Sequence, residues 1–343
     1  MSAYVVSSAS AATTVSAADP VFRYEGRFDA TDAAAPVVIW QGSRIAVDFE
    51  GDTLELGFTD VKGQVFLDAT IDGRIARVDL REGQPAVGTT FAGLGSGRHT
   101  LELFKRSEAA AGTAAFRGVT LADGAKAHAP VAPEYALRMM FFGDSITAGA
   151  NTEDSLEDQW DDRSTHNNAK SYARLTAAAF AADYRNIAVS GMGVCEGYVP
   201  FPAKQIWDRI HPAPDSAHAD LAAWIPDIVF VNYGENDDSY TTSVERPFPA
   251  DFAREYVALV RSMRAAWPQA QIVILRGGMF GGAQSARLRG PWEAAVAELE
   301  RDDPKITHFA FTHWTGHHPR VADHRVMADE LIAWLRQQTI TAR

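Results

Sequence analysis

One cysteine, Cys195, is all that the 343 residues hold, so neither an internal disulfide nor a cysteine cage for zinc is available. It lies in Gly193-Val194-Cys195-Glu196-Gly197 and reads as a small buried packing thiol, because a thiolate nucleophile needs a base of its own. Also absent is any run of about 18 apolar residues, which excludes a membrane-spanning helix. Positive charge is scarce. There are 32 Lys and Arg against 44 Asp and Glu, a formal charge of −12 with no basic cluster. That balance argues against nucleic acid and anionic membrane as partners and suits a neutral substrate. The first 19 residues are rich in Ser, Ala and Thr but have no basic start or leucine-rich centre. They make a poor secretory signal, although Val15-Ser16-Ala17 is cleavage-like. Residues 1–19 are therefore expected to be a disordered leader, with a cytoplasmic location favoured over export.

What the chain does have is length enough for two domains with cores of their own. Between residues 20 and 121 short runs place apolar residues at every second position. Arg44-Ile45-Ala46-Val47-Asp48-Phe49, Thr53-Leu54-Glu55-Leu56-Gly57-Phe58 and His99-Thr100-Leu101-Glu102-Leu103-Phe104 are examples. Turn chemistry such as Glu50-Gly51-Asp52 and Asp72-Gly73 separates them, so an antiparallel β-sandwich is predicted, a jelly roll by preference. Residues 122–136, with Gly124, Pro130 and Pro133, read as a linker. From 137 to 343 the period changes. Strands near 138–142, 185–189, 227–232, 271–275 and 306–311 alternate with helices near 168–182, 250–266, 291–302 and 319–338. This order predicts a three-layer α/β/α domain with a parallel sheet, its last helix opened by Pro319.

The chemistry gathers at the predicted strand ends. Met139-Met140-Phe141-Phe142 runs into Gly143-Asp144-Ser145, which puts Ser145 at the mouth of a strand, where open α/β sheets bind ligands. Alone, that is equally a turn with a capping serine. Three later stretches change the reading: Val189-Ser190-Gly191, Gly234-Glu235-Asn236-Asp237 and His317-His318-Pro319. Ser145, Gly191, Asn236 and His318, in this order and each after a strand, resemble the four blocks of the SGNH (GDSL-like) hydrolases. Ester hydrolysis needs a nucleophile, a base and donors aimed at the developing oxyanion. Ser145 offers the hydroxyl, His318 the base, and the N–H groups of Ser145 and Gly191 with the Asn236 amide the oxyanion hole.

Thr315 stands where that family usually carries an aspartate, three residues before the histidine. Two arrangements stay open: a Ser-His dyad oriented by a backbone carbonyl of Thr315 or Gly316, which is the expectation, or a carboxylate from a distant segment. His313, His317 and His324 crowd the same end, but no Asp or Glu lies between His313 and Val321. No metal or other cofactor is expected. Asp144 and Asp237 are expected to fix loops rather than to act as a glycosidase pair.

The order of sandwich and hydrolase domain, with Gly26-Arg27-Phe28-Asp29 and Trp40-Gln41-Gly42-Ser43, is similar to the family two carbohydrate esterases. That resemblance implies removal of O-acetyl groups from polysaccharides such as xylan and glucomannan through an acetyl-enzyme. Trp314, Trp160 and Tyr240 are candidate sugar-binding rings, with Tyr198 and Trp207 on the same predicted face. The acidic loop 151–164 is a candidate wall of the cleft. The alternatives are a lipid esterase or thioesterase using the same site, and a carbohydrate-binding protein with a spent hydrolase domain. Oligomeric state is not legible.

Overall fold

The computed structural model describes residues 12–338. Eleven strands make the first unit: β1 (Thr13–Ser16), β2 (Arg23–Glu25), β3 (Phe28–Asp29), β4 (Val37–Val38), β5 (Arg44–Glu50) and β6 (Thr53–Ile71), then β7 (Arg74–Arg81), β8 (Thr90–Ala92), β9 (Arg98–Lys105), β10 (Gly112–Leu121) and β11 (Ala127–His128). All their pairings are antiparallel. Strand β6 is 19 residues long and serves both halves of the sandwich. Its first half pairs with β10 and β8, its second half with β7 and β9. The strand turns from one half to the other where Asp60 and Gly63 have positive φ. A Cβ at Gly63 would stand 2.4 Å from the carbonyl oxygen of Ala111, so only glycine fits that corner. Inward residues of both halves, among them Val47, Phe49, Leu67, Val78, Leu103 and Phe116, form one buried core.

Two sequence boundaries shift. The expected leader is in part a strand: Thr13–Ser16 pairs with Leu121–Gly118 of β10, because the Thr-Thr-Val-Ser run is β-prone and Val15 is buried in the sandwich core. Residues 1–11 lie outside the described residues. The expected linker is likewise not free, since Ala127–His128 pairs with β5.

The second unit is a five-stranded parallel sheet of β12 (Leu137–Gly143), β13 (Ala182–Ala188), β14 (Ile228–Asn232), β15 (Gln271–Met279) and β16 (Ile306–Thr315). Its spatial order is β13-β12-β14-β15-β16. The helices are α1 (Ser145–Ala148), α2 (Tyr172–Ala179), α3 (Glu235–Ser243), α4 (Phe252–Ala266), α5 (Phe280–Gln284), α6 (Ala286–Asp302) and α7 (Val321–Leu335). Successive strand side chains point to opposite faces. Met139 and Phe141 therefore pack with Tyr172, Ala177, Met327 and Leu331 of α2 and α7. Met140 and Phe142 pack with Tyr256, Val260, Trp292 and Leu299 of α4 and α6. Both faces are covered, which is why these strands read as continuous apolar runs.

Pro319 does not open the last helix. It precedes Arg320, whose extended backbone makes it the N-cap of α7, closed by a capping box with Asp323. Among the described residues no helix is long and apolar enough to cross a membrane.

Candidate active site

The order of the parallel strands reverses at β12, which lies between β13 and β14. Open α/β sheets bind ligands outside the carboxyl ends of their strands at such a switch point. Asp144 caps α1 there, its Oδ1 accepting the Ile146 N–H at 3.0 Å, and Ser145 is the first helical residue. The first N–H groups of a helix have no partner within it, and Ser145 lines the cleft at that end. After β13, Gly191 turns the chain with φ +79°; a Cβ there would come 2.9 Å from Cβ of Tyr198. After β14, Gly234 with φ +123° starts α3 and sets Asn236 on its first turn.

His318 follows β16 and closes the constellation. Its Nε2 is 2.9 Å from Ser145 Oγ, and its Nδ1 is 2.6 Å from Oδ2 of Asp158. Asp158 also accepts from the His318 backbone N–H at 3.1 Å and from Arg320 Nη1 at 2.8 Å. The ring stands between a carboxylate at Nδ1 and the Ser145 hydroxyl at Nε2. The expected dyad is therefore corrected: of the two arrangements left open, the geometry is that of the distant carboxylate. No carbonyl of Thr315 or Gly316 orients the ring; the Thr315 hydroxyl instead donates to the His317 carbonyl. Partial burial pushes Asp158 up, but hydrogen bonds and charge from His318 and Arg320 outweigh it and hold the carboxyl well below the usual range.

The other acids do what short-range chemistry suggests. Asp144 and Asp237 are 1% and 0% exposed and cannot reach a sugar. Asp237 accepts the N–H groups of Val194, Cys195 and Glu196; burial still pushes it up to about 7. Burial and the nearby Glu235 and Asp237 carboxyls raise Asp144 well above its ordinary value. Asn236 Nδ2 donates to Asp144 Oδ2 at 3.1 Å and to the Met192 carbonyl at 3.0 Å. Both amide hydrogens are thus engaged, and the side chain is held at the cleft floor.

Ser145, Gly191, Asn236 and His318 line one cavity of about 620 Å³ with Trp160, Arg163, Tyr198, Met279 and, from the sandwich, Glu108 and Ala110. Trp160 sets its edge against His318 at 5.1 Å beneath the Arg163 guanidinium. The remaining sequence candidates lie further out. Tyr240 packs edge-on against Tyr198 at 5.3 Å. Trp314 packs on Phe280 at 5.9 Å, because β16 continues to Thr315 and carries its ring along the edge strand. Trp207 is core, packed between Phe142 and Trp267. The extra histidines have separate partners: His313 with Asp323, His317 with the His318 carbonyl, His324 with the Tyr172 N–H. Cys195 is half-buried beside a second cavity of about 980 Å³, its thiol pushed up by burial and by carboxylates, Asp237 first among them.

Two residues of this site escaped sequence reasoning. Asp158 was one of six acids in loop 151–164, and nothing local separates it from Glu157 or Asp161. Glu108 lies in the other domain. The only sequence signal for Asp158 is the loop itself, long and with little regular structure, as functional loops tend to be.

The chain belongs to the GDSL-like lipase/acylhydrolase family, whose pattern matches residues 141–333. In front of it, residues 24–130 match the carbohydrate esterase 2 N-terminal domain. Similar proteins include the cellulase/esterase CelE of Acetivibrio thermocellus, 29% identical over 93% of this chain; the chain spans 40% of that relative's length. An acetylxylan esterase/glucomannan deacetylase of Cellvibrio japonicus is 26% identical over 87% of this chain and 85% of its own. Among solved structures, a family two carbohydrate esterase from Clostridium thermocellum in complex with cellohexaose superposes with a TM-score of 0.79 at 28% identity, covering 92% of this chain and 98% of the other. By fold and by relatives the chain is most like the family two carbohydrate esterases.

Proposed function

We propose that this protein removes O-acetyl groups from acetylated poly- or oligosaccharides, with xylan, glucomannan or their fragments as the substrate class, through an acetyl-enzyme on Ser145. The observation that carries this reading is the unbroken contact series Asp158–His318–Ser145, at 2.6 and 2.9 Å. His318 Nε2 accepts the hydroxyl proton as Ser145 Oγ attacks the acetyl carbonyl, and Asp158 stabilises the imidazolium. The N–H groups of Ser145 and Gly191 receive the oxyanion. Asn236 adds a third donor by turning one amide hydrogen from its resting partner, and such donors are each worth about 3–4 kcal/mol. Collapse of the tetrahedral adduct breaks the ester C–O bond, and His318 returns the proton to the sugar oxygen. Water, deprotonated by the same ring, then releases acetate.

Trp160 and Tyr198 at the cavity wall supply flat apolar surfaces for sugar rings, and the net negative charge suits a neutral glycan. Tyr240 and Trp314 act outside this first wall, Tyr240 by bracing Tyr198 and Trp314 by extending an aromatic rim with Phe280. The test is hydrolysis of p-nitrophenyl acetate and octanoate, then of acetylated xylan and glucomannan, by the wild type and Ser145→Ala. Acetate cleavage that vanishes in the variant, with octanoate left intact, is expected. Full activity in Ser145→Ala, or a preference for octanoate, overturns the assignment.

A further inference from the structure

Glu108 is fully buried and belongs to the sandwich, yet both oxygens of its carboxylate are used by the hydrolase domain. Oε2 accepts the N–H of Ser190 at 3.0 Å, one residue before the Gly191 turn. Oε1 faces Arg163 Nη1 at 3.2 Å and His166 Nδ1 at 3.3 Å. Those two partners hold Trp160: the Arg163 guanidinium lies 4.9 Å over its ring, and the His166 ring meets it edge-on at 5.5 Å. Trp160 in turn packs against His318. One carboxylate thus joins the oxyanion turn on one side of Ser145 to the aromatic wall behind the base on the other.

The residue is itself held from behind. Lys105, also fully buried, donates from Nζ to the carbonyls of Ser107 and Glu108 at 2.9 Å each. Gln41 Oε1 accepts the Ala109 N–H at 2.9 Å, while its Nε2 donates to the Ala188 carbonyl at the end of β13. The sandwich therefore presents Glu108 on a rigid mount. A buried carboxylate is tolerated only where it is paired and hydrogen-bonded, and the partners here all come from the two loops that frame the nucleophile.

We propose that Glu108 is a positioning residue for catalysis, by which the N-terminal sandwich sets the Ser190–Gly191 turn and the Trp160 wall around Ser145. The inference rests on the esterase reading above and assigns the sandwich a role in turnover beyond any contact with glycan. Misplacement by about 1 Å of groups that do not react costs on the order of 100-fold in rate.

The experiment compares Glu108→Asp and Glu108→Gln with wild type and Ser145→Ala on p-nitrophenyl acetate, with melting temperature and near-ultraviolet circular dichroism recorded for each. Glu108→Asp keeps the charge for Arg163 and His166 but is one methylene too short to hold Ser190 as well. Glu108→Gln keeps the length and loses the charge. At least one variant is expected to retain the wild-type dichroism with kcat down about 10–100-fold and KM within about threefold. Folded variants of lowered melting temperature but wild-type kcat leave Glu108 a stabilising residue only and overturn the inference, while the esterase reading stands on Ser145→Ala. A wild type inert on every acetyl ester overturns both. If neither variant folds, Arg163→Gln, which removes one partner of the same carboxylate, must show the kcat loss or the inference falls.

Discussion

At the scale of single residues, the acid of the site decides how Thr315 is to be understood. A threonine three residues before the base removes the local carboxylate, and Asp158 reaches the same nitrogen across 160 positions of sequence. Asp158→Asn preserves shape but presents either an amide hydrogen or an uncharged oxygen to Nδ1. In the serine protease triad the corresponding change costs about 10⁴ in kcat by favouring the wrong tautomer. A loss of about 10³–10⁴ is expected here on p-nitrophenyl acetate, whereas Thr315→Val, which removes a hydroxyl bonded to backbone, should leave kcat within about threefold. Near-wild-type turnover in Asp158→Asn would restore the dyad. That Ser145, His318, Gly191 and Asn236 meet in one cleft is legible because each sits at a strand end, where local sequence defines the turn. Asp158 is not, because its role depends on how a long loop crosses the molecule, and six acids in that loop compete for one position.

Elements show the same division between local and long-range causes. Runs buried on both faces, such as Met139–Phe142 and Ile272–Leu275, announce central parallel strands, and the amphipathic Phe252–Ala266 announces α4. Helix α3, Glu-Asn-Asp-Asp-Ser-Tyr-Thr-Thr-Ser, has no apolar stripe and is not legible; its Asn236 and Asp237 are buried by bonds to the loop that follows β13 instead. Strand β1 is not legible in the sequence because four residues show their pattern only against β10.

Helix α7 carries a further consequence. His324 is fully buried, stacks on Tyr172 and accepts its backbone N–H at 3.2 Å; burial pushes it down to about 3. An unfolded histidine titrates near 6.5. Between those values the unfolded chain binds a proton that the native one does not, so this residue lowers stability as pH falls from about 6.5 toward 3. His324→Asn keeps an acceptor toward Tyr172 and cannot titrate. Urea unfolding at pH 7 and pH 5 should show the wild type losing more stability than the variant, by up to about 1.4 kcal/mol per pH unit. Equal losses in the two proteins would mean that His324 is protonated in the fold.

Over the whole molecule, the two domains recognisable in the sequence are not two independent bodies. Ile39, Trp40 and Ala109 of the sandwich belong to the same buried cluster as Phe142, Val231 and Trp267 of the hydrolase domain. Buried and half-buried polar bonds cross the same boundary. Arg27 donates to the carbonyls of Trp207 and Arg209 at 2.8 Å, Trp40 Nε1 to that of Ile210 at 2.6 Å, and Gln41 to Asn186 at 2.8 Å. Separating the domains would expose the shared apolar surface and exchange these bonds for bonds to water, at a net cost of about 0.5–1.5 kcal/mol each. Neither domain can therefore melt without withdrawing support from the other. Calorimetry of the full chain should show a single transition whose calorimetric and van't Hoff enthalpies agree. Trp40→Ala, which opens a cavity on the boundary at a cost of about 3–5 kcal/mol, should lower that transition as a whole. If it instead splits the endotherm in two, with esterase activity lost at the upper one, the sandwich folds and unfolds apart from the enzyme it carries. Glu108 would then have no rigid mount from which to order the active site.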